Sequence, residues 1–73
     1  MIEKKDVAME VSRLMLDLGA RLDASVVLVK ERCSAAEFEA YREAIGKIMA
    51  GVLFDVMNPL YQKHPDLKPN ELK

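Results

Sequence analysis

Apolar residues return every three or four positions through the first half of the chain. Val7, Val11, Leu14, Met15, Leu18, Leu22, Val26 and Val29 share one face of a 3.6-residue period, and Glu10, Arg13, Asp17, Arg21 and Glu31 take the other. This spacing predicts a helix over about residues 3–32. A thinner apolar line, Ile2, Met9, Leu16 and Val27, runs beside the main stripe, set off from it by Lys5, Ser12, Asp23 and Lys30.

The pattern is interrupted at Ser34-Ala35-Ala36-Glu37, where a Ser and a Glu three residues on form a capping box. Lys30 and Arg32 just before it suit a helix C-terminus. A second helix is therefore expected over about residues 35–57. Its stripe is Phe38, Tyr41, Ile45, Ile48, Met49, Val52, Leu53 and Val56, with Glu43, Lys47, Asp55 and Asn58 on the wet side. On this wheel Phe54 and Tyr61 fall on the polar side. Small residues Ala36, Ala40, Ala44 and Gly51 line its flank, with Gly46 and Ala50 nearby. Glycines inside helices cost about 1 kcal/mol each relative to Ala, so Gly19, Gly46 and Gly51 suggest either tight packing or tolerated drift.

No proline precedes Pro59. Asn58-Pro59 is expected to bend or break the second helix, with one further turn to about residue 63. The Pro-containing tail, 64–73, reads as extended chain in which Leu67 and Leu72 are able to dock. The connection between the helices is so short that they must lie antiparallel. The expected fold is all-α: a helical hairpin over 1–63 and a short tail.

Two helices side by side form two layers with no enclosed centre, and one partner covers one stripe only. The leftover apolar lines therefore predict self-association into a twofold homodimer, a four-helix bundle. Met9, Leu16, Val27, Ala40, Ala44 and Gly51 are the expected interface. A different protein supplying the missing helices is the competing solution.

Composition narrows the chemistry. The chain has 73 residues, 51% hydrophobic and 32% charged, with Lys plus Arg at 11 against Asp plus Glu at 12. Bases are interleaved with acids, as in Lys30-Glu31-Arg32, so no face accumulates charge for a polyanion. A helical-hairpin regulator on nucleic acid stays the runner-up on architecture alone. The longest uncharged runs, 48–54 and 56–62, are seven residues each, against the roughly 20 a membrane span needs. Neither a membrane span nor a signal peptide is read. The single cysteine, Cys33, points to a reducing, cytoplasmic setting.

Catalysis finds little to use. Cys33 and His64 are each the sole residue of their kind, and a hairpin places them at opposite ends. Position 61, where a Glu-x-x-His metal pair needs its carboxylate, holds Tyr61. No phosphate-loop or nucleotide signature is present, so no cofactor, metal or catalytic group is expected. An enzyme or ligand binder using the bundle interior is the third reading. The first is a small non-catalytic protein-interaction module (a regulator, inhibitor or accessory subunit), with Phe54, Met57, Leu60 and Tyr61 as its candidate partner surface.

Overall fold

A computed structural model describes residues 1–69. Every element within them is helical: α1 (Lys5–Arg32), α2 (Ala35–Gly51), a π-helical segment (Val52–Met57), α3 (Asn58–Lys63) and a 3-10 turn (Pro65–Leu67). Ser34 caps α2 with the full capping box read from the sequence. Its hydroxyl accepts from the Glu37 N–H, and the Glu37 carboxylate accepts from the Ser34 N–H at 3.1 Å. The Cys33 N–H closes α1 on the Val29 carbonyl. Contacts between Ser25 and Tyr41, and between Ser12 and Tyr61, step apart in sequence as the antiparallel pair leaves the turn. The body measures 44 × 20 × 16 Å.

The expected break at Asn58 does not occur. Asn58 keeps helical angles (φ −62°, ψ −49°), so α2, the π segment and α3 are one uninterrupted helix. In an α-helix the Pro59 ring would meet the Asp55 carbonyl, and Pro59 has no N–H to donate. The chain responds by widening the turn just before the proline. The Asn58 N–H bonds to Leu53, five residues back rather than four.

That widening has a geometric effect the α period could not foresee. It takes up about one extra residue, which turns everything after it by about 100°. Tyr61, expected on the polar side, is thereby turned inward and is only 5% exposed. Met57 and Leu60 turn in with it. The three form the core with Ala8, and Ile2, Val11, Met15, Val52, Leu53 and Leu67 pack around them. Leu60 is fully buried, a burial worth about 2 kcal/mol. Ser12 is the buried polar residue here, and its hydroxyl is satisfied by the Tyr61 hydroxyl at 2.5 Å.

The tail also departs from its extended reading. The 3-10 turn folds it across the N-terminus, where the His64 Nε2–H donates to the Ile2 carbonyl at 2.7 Å. Asp66 pairs with Lys5, and Lys63 with Glu3 at 3.0 Å. Leu67 docks on the core as expected, while Leu72 lies outside the described residues. The glycines do not serve close backbone approach. A methyl at Gly19 would sit 3.5 Å from Met49 Cε, an ordinary contact, and one at Gly46 would meet nothing within 4 Å.

Candidate interaction surface

The residues expected to form a partner surface are divided by the fold. Met57, Leu60 and Tyr61 are buried against α1, because the π segment turns them inward. Of that set Phe54 alone stays outside, 62% exposed. It stands at the edge of a groove of about 600 Å³ between the two long helices. Met15, Leu16, Gly19, Ala20 and Asp23 form one wall. Gly46, Met49, Ala50, Val52, Leu53, Phe54 and Met57 form the other. Asp23 is the sole charged side chain among them, so the groove is an apolar trough.

The expected dimer residues are also separated. Leu16 lines the groove, and Val27 lies exposed on the same flank of α1, one helical face from it. Met9 is half-buried on that line. Ala40, Ala44 and Gly51 do not line the groove; at about 100° per residue they fall on the opposite flank. The small residues that face the α1 line are instead Gly46 and Ala50. The sequence placed these beside the small line without choosing between flanks. The signal that would have decided it is handedness: in an antiparallel pair, equal rotations from the contact line lead to the same side.

Beyond the groove, Leu14, Leu28 and Ile48 are large apolar side chains with about half or more of their surface exposed. Phe38 near the turn is screened instead, with Lys30 and Arg42 each 5.8 Å from its ring centre. Arg42 in turn pairs with Glu39 at 2.7 Å, a hydrogen bond that raises its pKa.

Polar chemistry is sparse. Bonds from the Ser34 backbone and hydroxyl hold the Glu37 carboxyl below its ordinary value. The Lys63 ammonium does the same for Glu3, and Lys5 for Asp66. These groups are tied to structure at the surface. Cys33 is exposed at the turn and His64 is bonded at the far end of the 44 Å body. Among the described residues no cluster of three His, Cys, Asp or Glu side chains is placed to hold a metal. No helix among them is long and apolar enough to cross a membrane. A second, smaller cleft is lined by Asn58, Tyr61, Gln62, Pro65 and Lys68. The chain matches no protein-family model, no curated protein and no solved structure in comparison with each.

Proposed function

We propose that the chain is a small non-catalytic protein-interaction module that works as a self-associated pair of hairpins, a regulator, inhibitor or accessory subunit in the cytoplasm. One observation carries this reading. The buried apolar residues are few among those described (Ala8, Ile45, Met57, Leu60 and Tyr61), while Leu14, Leu16, Val27, Leu28, Ile48 and Phe54 stay 40–62% exposed along both helices. A surface of this kind is unfavourable in water and favourable in an interface.

Area supports the same reading. The chain exposes 5313 Å², whereas the surface-to-mass relation for compact monomers gives about 4,500 Å² at 8.2 kDa. The difference is close to one partner's share of a standard interface, about 800 Å². A long face of 44 × 20 Å is large enough to provide it. A net charge of −1 means that two copies repel each other weakly. Light scattering at micromolar concentration tests this: the expected mass is about twice the 8.2 kDa of one chain. A folded, monodisperse monomer overturns it.

A further inference from the structure

We infer that the groove between the long helices is filled by Phe54 of a second copy of this chain, each copy seating its phenyl ring in the trough of the other. The inference rests on the self-association proposed above and names the contact that drives it. A twofold contact places the same patch on both partners, so that patch must hold both the projection and the recess. This flank holds both. Phe54 projects from the groove edge, 62% exposed. Between one and two helical turns back along the chain from Phe54 the groove is walled by Ala50 and Gly46, facing Gly19 and Ala20 of α1, side chains too small to fill it. Nothing lies within 4 Å of where a Gly46 Cβ would stand, so the recess is open at that point.

On the opposite flank Leu14, Leu28 and Ile48 are exposed, whereas the exposed aromatic ring and the groove walled by small residues lie together on the Phe54 flank. A twofold axis crossing the groove side between Gly46 and Phe54 brings each ring over the partner's recess. Large aromatic side chains in desolvated pockets are the usual dominant contacts of an interface. Asp23, the one charge in the groove, is exposed and stays at the rim.

Two variants and their mixture test the seating. Phe54→Ala removes the projection and leaves the recess open. Gly46→Leu fills the recess from an open position, keeps Phe54, and is compatible with the helix. Each protein alone is expected to stay helical by circular dichroism and to show a dimer dissociation constant raised at least about 30-fold in sedimentation equilibrium. An equimolar mixture is expected to regain part of the association, because a mixed pair restores one of the two seated rings. If either variant dimerises as the wild type does, or if the mixture recovers nothing, the reciprocal seating is wrong although self-association stands. If the wild type itself is monomeric, self-association falls as well.

Discussion

At the open end of the helix pair, Ser12 and Tyr61 share a buried hydrogen bond; nearer the turn, Ser25 and Tyr41 share one of 2.8 Å that water reaches. The side-chain types are the same and the surroundings differ. At the open end three features converge: the π segment turns Met57, Leu60 and Tyr61 inward, the tail folds over them, and ion pairs tie the chain's end to the N-terminus. Towards the turn, stability comes from local contacts such as the capping box and the cations over Phe38, and Ile45 is the buried apolar side chain there. The comparison teaches that the short connection organises the pair while the far end holds it together. Exposed apolar side chains remain in both halves, Leu14, Leu16 and Phe54 toward the open end and Val27, Leu28 and Ile48 toward the turn, so a partner along the long face has something to cover in each.

The largest expected contrast is between a core leucine and an exposed one. Leu60→Ala empties a fully buried site at the open end and should cost about 2–5 kcal/mol in urea unfolding. Leu28→Ala, at a side chain 48% exposed on the other half, should change the monomer by no more than about 0.5 kcal/mol. Equal costs would erase the distinction between the two ends.

A smaller contrast concerns the two tyrosines. Tyr61→Phe leaves the buried Ser12 hydroxyl without its partner and should cost about 1–2 kcal/mol. Tyr41→Phe should cost only a few tenths, roughly 0.3 kcal/mol, because Ser25 keeps its 2.6 Å bond to the Leu22 carbonyl and solvent is near. A reversed order in thermal unfolding would mean that the buried bond is not maintained in solution.

Acid gives the smallest effect. Glu3 and Asp66 at the open end, and Glu37 at the turn, have carboxyl pKa values lowered by their hydrogen-bond partners. A depressed folded pKa means that the stabilisation is present above the ordinary values, 4.5 for Glu and 3.8 for Asp, and is lost as pH falls through the folded ones. The melting temperature should therefore be flat near neutrality and decline gently on acidification below those values. Glu3→Gln with Asp66→Asn should flatten the decline at the open end, and Glu37→Gln at the turn. A decline unchanged in both variants would assign it to other groups.

Much of this architecture is legible in the sequence, for identifiable reasons. The capping box fixed the start of α2, and the two apolar stripes fixed the contact line, because both follow from local hydrogen bonding and a regular period. Phe54 was placed correctly outside, since it lies early in the widened turn. Tyr61 falls on the wrong side because a wheel at constant pitch carries no memory of a residue taken up on the way, and Met57 and Leu60, expected on a partner surface, are taken by the core. Pro59 announces a disturbance, and the widened turn, unlike a break, lets Met57, Leu60 and Tyr61 pack with Ala8. The groove is half legible: Leu16 on its α1 side belongs to a line the period shows, while the matching α2 residues, Gly46 and Ala50, follow only when the handedness of an antiparallel pair is applied to the two flanks.

The stretch from Val52 to Met57 behaves as a spacer of one residue let into a rod. A chain shorter by one position there, and freed of Pro59, would present the same inner surface with ordinary spacing. Length and fit are thus uncoupled for one residue at this place, so such a shortened chain keeps its inside and its outside where they are.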